Sequence, residues 1–254
     1  MSFQNKVVLV TGASSGIGAA TAIKFAEEGA QVCLVGRKQD KLNNVAKKCP
    51  NSLVLIGDVS KDADAKRIVN ETVRFFGQLD VLVNNAGIGG TVSITQEHAM
   101  QVFDQVIATN LRAPVFITHL AVPHLLKTKG NIVNISSIAA VQVISKQSFS
   151  YNTSKAALDH FSRSIALELA SSGVRVNTVN PGPVKTDILE NMGATAGQAE
   201  AILEKMKSDT ALDRISEPEE IADLVLFLAS DKAKAITGSS YFTDNGVLLK
   251  GVGV

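Results

Sequence analysis

Tyr151 and Lys155 stand four residues apart at the head of a helical pattern that continues through Ala156, Leu158, Phe161, Ile165 and Leu167. That spacing places both on one helix face. A phenol with an ordinary pKa of ~10 exchanges protons poorly at neutral pH, and a neighbouring ammonium favours its phenolate. The pair is therefore a candidate general acid and base. Ser136 and Ser137 follow the apolar segment Ile132 to Ile135, where a hydroxyl can bond an oxygen on which charge develops. Far upstream, Thr11-Gly12-Ala13-Ser14-Ser15-Gly16-Ile17-Gly18 spaces its glycines by four and then two, unlike G-x-G-x-x-G. The physics is the same: backbone N–H groups approach a pyrophosphate closely, and the next helix adds unpaired donors and the positive end of its dipole.

Other chemistries lack their residues. His98, His119, His124 and His160 show no H-E-x-x-H or comparable spacing, so no catalytic metal is expected. No G-x-S-x-G elbow surrounds Ser137, and no pair of carboxylates stands out for glycosidase work. Cys33 and Cys49 cannot form a multi-bridge framework, which points to a reducing compartment and a cytoplasmic location. Twenty-five Lys and Arg against twenty-four Asp and Glu leave a net charge of +1, with no general field for nucleic acid or an anionic membrane. The N-terminus shows no signal pattern, and the apolar runs fall short of the roughly 18 residues that cross a bilayer. Neither nucleic acid nor membrane is an expected partner.

These residues need a scaffold, and the chain alternates short apolar runs with segments of helical period. Strands are expected at Lys6 to Val10, Gln31 to Val35, Ser52 to Ile56, Val81 to Val83, Ile132 to Ile135 and Val174 to Val179. Helices are expected from Ile17 to a cap at Gly29, and over Gln39 to Lys48, Ala63 to Phe76, Asn110 to Leu126 and Asn152 to Ala170. Each polar cluster falls just beyond a strand, at the sheet edge where open parallel sheets bind ligands. With 254 residues, 45% of them hydrophobic, and no linker or fixed repeat, the chain reads as one doubly wound α/β domain over 1–254, Rossmann-type, with about seven parallel strands.

Four segments in this order resemble the short-chain dehydrogenases/reductases. They are the T-G-x-x-x-G-x-G loop, Asn84-Asn85-Ala86-Gly87, Tyr151-Asn152-Thr153-Ser154-Lys155, and Asn180-Pro181-Gly182 with Val184 and Thr186. Ile236-Thr237-Gly238 and Asp244-Asn245-Gly246 are similar to the family's C-terminal signature, although D-G-G is commoner there. The resemblance implies hydride transfer between a nicotinamide coenzyme and an alcohol or carbonyl compound. Tyr151 would be general acid or base, Ser137 rather than Ser136 the substrate-oxygen donor, and Lys155 the charge beside Tyr151. Asn110 would position a water in a proton relay. Gly12, Gly16 and Gly18, with Ser14, Ser15 and Ile17, would line the pyrophosphate. Asp58, with Val59, would accept from the adenine, against a simpler role as a turn or capping residue. Asn85, Ala86 and Gly87 would border the adenosine ribose, and Pro181, Gly182, Val184 and Thr186 the nicotinamide carboxamide.

The end of the second strand bears on coenzyme choice. NAD-preferring relatives carry an acidic residue there, whereas this chain has Gly36-Arg37-Lys38. NADP(H) is expected on that basis, with NAD(H) the alternative if Arg37 and Lys38 are merely solvated. The segment from about 184 to 210, with Ile188, Leu189, Met192, Ile202, Leu203 and Met206, is expected to cover the substrate as a lid, against an ordinary amphipathic helix. Its apolar residues, with Ile88, Val141, Val143 and Phe149, suggest a hydrophobic carbonyl substrate of steroid, fatty-acyl or xenobiotic type. Relatives form dimers or tetramers through helices like Asn110 to Leu126 and Asn152 to Ala170, so a homo-oligomer is expected. A coenzyme-binding regulatory protein is the reading from a different class.

Overall fold

The computed structural model describes residues 3–188 and 195–250. Seven strands form one sheet in the order β3-β2-β1-β4-β5-β6-β7: β1 Val7–Thr11, β2 Gln31–Gly36, β3 Leu53–Ile56, β4 Val81–Asn84, β5 Asn131–Ile135, β6 Arg175–Pro181 and β7 Ser240–Thr243. Every pairing is parallel. Strand order reverses between β1 and β4, the point beyond whose carboxyl ends open parallel sheets form a ligand crevice. The helices among the described residues are α1 Gly16–Glu27, α2 Gln39–Ala46, α3 Asp62–Phe76, α4 Ala99–Ile107, α5 Ala113–Thr128, α6 Phe149–Leu169, α7 Ala196–Ser208, α8 Pro218–Ala229 and the single turn α9 Val247–Lys250.

Strand alternation sorts the core into two layers. Val8, Val10, Val32 and Leu34 face α1, α2 and α8 through Phe25, Leu42, Val45, Ile221 and Val225. Val7, Leu9, Cys33 and Val35 face α3, α5 and α6 through Ile68, Ile117, Leu125, Ala166 and Leu169. Strands buried on both faces read as continuous apolar runs, which is why the sequence exposes most of them.

Three elements depart most from expectation. β6 runs to Pro181, two residues past Val179: Pro181 is in register with Thr243, and the next N–H, that of Gly182, bonds the Thr243 carbonyl at 3.1 Å. β7 is the strand the sequence reading counts without placing, because its four residues carry only partial burial and no apolar run. The helix expected from Asn110 begins eleven residues earlier at Ala99 and passes through a π-turn, Ala108–Arg112, into α5. This 30-residue helix, with mean hydropathy 1.2 in its most apolar window, is long and apolar enough to cross a membrane, unlike the runs read from sequence. Asn110 and Thr118 bond inside the domain, and α5 packs on α3, β4 and β5, as a core helix does.

Candidate active site

β1 ends in the glycine loop. Gly12 and Gly16 take φ of +66° and +53°, a region L side chains rarely adopt, so the chain can turn out of the strand and into α1. At Gly18 the constraint is space: a Cβ would lie 2.3 Å from the Gly12 carbonyl oxygen and 2.4 Å from Asn85 Nδ2. The loop is tied to β4 by side chains as well. Thr11 Oγ1 accepts from the N–H groups of Asn85 and Ala86, each at 3.0 Å, and Asn85 Nδ2 donates to the carbonyls of Thr11 and Gly12 at 3.0 and 3.1 Å. Asn85 thus braces the cradle with its amide, and Ala86 and Gly87 continue along the crevice. Ser14 and Ser15 sit partly buried in the loop, and Ser15 makes no side-chain bond into the helix it precedes. These features fit a bound pyrophosphate: a cradle kept clear of Cβ atoms at the N-terminus of a twelve-residue helix.

Around the cradle, Arg37 and Lys38 are exposed where β2 gives way to α2. Asp58 is partly buried, and its Oδ1 accepts from the Ser60 N–H at 3.1 Å and Ser60 Oγ at 2.7 Å, the turn role that competes with adenine binding. Val59 beside it is buried. Pro181, Gly182 and Val184 close the opposite wall, with Val184 bridged to Ser216. Thr186 reaches across to Gly16, whose Cβ would come within 2.9 Å of Thr186 Cγ2. Next to it, Asp187 pairs with Lys41 and accepts from Ser15; these partners, with the Lys38 charge, hold its carboxyl below the usual range. No sequence signal marks Asp187, because its partners lie more than 140 residues away in the chain.

Ser137 and Tyr151 meet at the end of β5, the serine side chain near enough to favour the phenolate. Ser137 is buried, and its Oγ also accepts from the Ala139 N–H at 3.1 Å, starting a short 3₁₀ turn. Ser136 turns away, its Oγ donating to the Lys155 carbonyl at 3.3 Å. Lys155 is buried, its Nζ 5.6 Å from the Tyr151 ring centroid and donating to the Ile135 carbonyl at 2.8 Å. Burial pulls the ammonium down from 10.5 to about 8. Tyr151 is raised above its ordinary value, chiefly by burial and against the Ser137 side chain. Burial is the largest influence on Tyr151 here, and the neighbouring ammonium is itself bonded to a carbonyl.

Asn110 is fully buried in the π-turn. Its amide exchanges two bonds of 2.8 Å with the Ile88 backbone, and its Nδ2 also reaches Ser154 Oγ at 3.2 Å. It fixes the chain just past Gly87, where a Cβ would lie 3.5 Å from Asn110 Oδ1 and 3.7 Å from Lys155 Nζ. π-turns inside helices are frequent at functional sites. The sequence-named substrate residues separate. Val141 and Val143 are exposed beside the 3₁₀ turn, while Phe149 stacks on Phe103 at 6.1 Å. Of the expected lid, Ile188 and Ile202 are exposed and Leu203 and Met206 partly buried; Leu189 and Met192 lie outside the described residues. Asn245, the departure from D-G-G, has φ +52° and donates from Nδ2 to Ser216 Oγ at 2.9 Å, so an amide does there what glycine cannot.

A glycine cradle after β1 and a Ser-Tyr-Lys cluster after β5, on one edge of a parallel sheet, fit a nucleotide-dependent oxidoreductase. The family model described as enoyl-(acyl carrier protein) reductase matches residues 12–248. The chain belongs to the short-chain dehydrogenase/reductase family and is an oxidoreductase acting on alcohol and carbonyl groups. Glucose 1-dehydrogenase from Gluconobacter oxydans is 40% identical over 98% of this chain and 94% of that relative. L-fucose dehydrogenase from Bos taurus is 34% identical over 97% and 91%. Among solved structures, a Caenorhabditis elegans short-chain dehydrogenase/reductase of unknown function, with cofactor, superposes at a TM-score of 0.93 with 36% identity over 97% and 96% of the two chains. L-sorbose reductase from Gluconobacter frateurii, complexed with NADPH and L-sorbose, superposes at 0.88 with 33% identity over 98% of each.

Proposed function

We propose that the chain interconverts a secondary alcohol and a ketone with NADP(H), using Tyr151, Ser137, Lys155 and Asn110. The observation that carries this is Tyr151 with buried Lys155 beneath its ring and Ser137 close by, beside the glycine cradle. The bound nicotinamide supplies the hydride in reduction and receives it in oxidation. Ser137 holds the substrate oxygen, and Tyr151 gives it a proton in reduction or takes one in oxidation. The Lys155 ammonium lowers the cost of the phenolate. Asn110 keeps the Gly87–Ile88 backbone beside Lys155, where the proton relay to solvent would run.

Exposed Arg37 and Lys38, with no carboxylate at the end of β2, support NADP(H) over NAD(H), as does the NADPH-bound sorbose reductase. For substrate, the similarity to glucose 1-dehydrogenase, L-fucose dehydrogenase and a meso-2,3-butanediol dehydrogenase favours a sugar, diol or hydroxyketone. A hydrophobic ketone is the second reading, favoured by exposed Val141, Val143 and Ile144 beside the site. Residues 184–188 and α7 would cover either. The exposed Leu167 on α6 and Leu126 on α5 suit a homo-oligomer built through those helices.

The test is turnover with NADPH and with NADH across sugars, diols, hydroxyketones and aryl ketones, wild type beside Tyr151→Phe. Preference for NADPH, lost turnover in the variant and retained coenzyme binding are expected. Wild-type turnover by folded Tyr151→Phe would overturn the mechanism, and tight coenzyme binding without turnover on any compound would favour a regulatory role.

A further inference from the structure

Tyr151, Lys155 and Asp159 follow one another at four-residue steps along α6, one stripe of one helix. Asp159 is 3% exposed. Its Oδ2 accepts from Asn180 Nδ2 at 2.8 Å and Ser240 Oγ at 3.5 Å, and its Oδ1 has no partner. A buried carboxylate with an unsatisfied oxygen is expensive to keep, so its presence calls for a compensating use. Two neighbours define that use. Asn180 gives its second amide hydrogen to the Ser137 carbonyl at 3.1 Å, while Thr178 Oγ1 holds its Oδ1 at 2.8 Å, so one amide links Asp159 to the backbone of Ser137. The other neighbour is Lys155, one turn earlier, whose ammonium the Asp159 charge favours against burial.

We infer that Asp159 is a positioning residue for the reaction, anchoring the backbone at Ser137 through Asn180 and keeping Lys155 an ammonium through its charge. This rests on the assignment of Ser137, Tyr151 and Lys155 made above. The groups that meet Lys155 from other elements are neutral: the Ile135 carbonyl of β5, the Asn110 amide of the π-turn and Gly87 after β4. On α6 itself they are the Tyr151 ring and Asp159. Around Asp159, Asn180 of β6 and Ser240 of β7 are neutral too. Asp159 is therefore the one fixed charge acting on Lys155 among the described residues.

The experiment follows Lys155 by NMR of protein labelled at lysine Cε, its signal assigned by loss in Lys155→Met, with no coenzyme or substrate needed. The wild-type midpoint is expected near the value of about 8 that burial sets. Asp159→Asn, which keeps an acceptor oxygen and removes the charge, is expected to lower it by about one pH unit. Asp159→Glu is expected to restore it. In the turnover assay, the alkaline limb of kcat/KM moves down with the midpoint. If Asp159→Asn does not fold, Asp159→Ser is read the same way. An unmoved midpoint, or an alkaline limb that stays while the midpoint moves, overturns the inference. Absent turnover in the wild type would instead be a failure of the proposed function, and the NMR midpoint would still decide what Asp159 does to Lys155.

Discussion

Gly18→Ala isolates the close packing of the cradle from glycine's other properties. Gly18 is already helical with no positive φ, so an alanine there would gain up to ~1 kcal/mol of helix propensity if the site had room. It has none. The added methyl sits 2.3 Å from the Gly12 carbonyl oxygen, so one backbone segment must move by about an ångström to reach an ordinary van der Waals separation near ~3.4 Å. Overpacking of this kind costs about 1–3 kcal/mol. The movement also breaks the bonds of Asn85 Nδ2 to the Thr11 and Gly12 carbonyls, at about 0.5–1.5 kcal/mol each. Set against the propensity gain, the net loss is about 1–5 kcal/mol, a fall in Tm of about 2–20 °C for a domain of this size. Because the displaced atoms form the cradle, coenzyme affinity should fall by at least about ten-fold, beyond what lost stability explains. Two controls separate the causes: Gly77→Ala, at φ +83° in open space, carries conformational strain alone, and Gly197→Ala, with nothing within 4 Å, carries neither strain nor clash. Differential scanning calorimetry and coenzyme fluorescence titration read both quantities. Gly18→Ala with wild-type Tm and wild-type coenzyme affinity would refute the packing argument.

Three further outcomes are expected. Arg37→Ala should weaken NADP(H) binding by about ten- to hundredfold, the strength of one charge-assisted bond, and leave NAD(H) binding nearly unchanged; equal loss for both coenzymes, measured by titration, would reject the specificity role. Lys155→Met should stabilise the fold at pH 7 by about 3 kcal/mol, since the folded pKa of about 8 lies below the unfolded value of 10.5. The wild type carries that penalty in full below pH 8 and regains it as pH rises toward 10.5, so denaturation curves of the two proteins should converge there; a constant difference would refute this. Cys33 and Cys49, both buried free thiols pushed up to about 12 and about 11, should react with an aromatic disulfide reagent only as the protein unfolds. Rapid labelling of native protein would contradict their burial.

Local chemistry made much of this protein legible in one dimension. Strands buried on both faces show as runs such as Val7–Thr11, helices show by period, and the glycine loop shows because glycine alone fits its backbone. The step from Tyr151 to Lys155 is a property of one helix and needs no tertiary knowledge. What the sequence could not carry are contacts between distant residues of unremarkable type. β7 has too few buried side chains to announce itself and exists because β6 offers an edge. The π-turn at Asn110 depends on bonds to Ile88 and Ser154, and the Asp187–Lys41 pair joins two crevice walls 146 residues apart. The raised Tyr151 and the depressed Lys155 follow from how much water the packed domain excludes, and the Asp159–Asn180–Ser137 link from β6 lying beside α6. Residue types set which groups can exchange protons and cradle phosphate, whereas burial and long-range hydrogen bonding, which exist only in the folded chain, set their charge and aim.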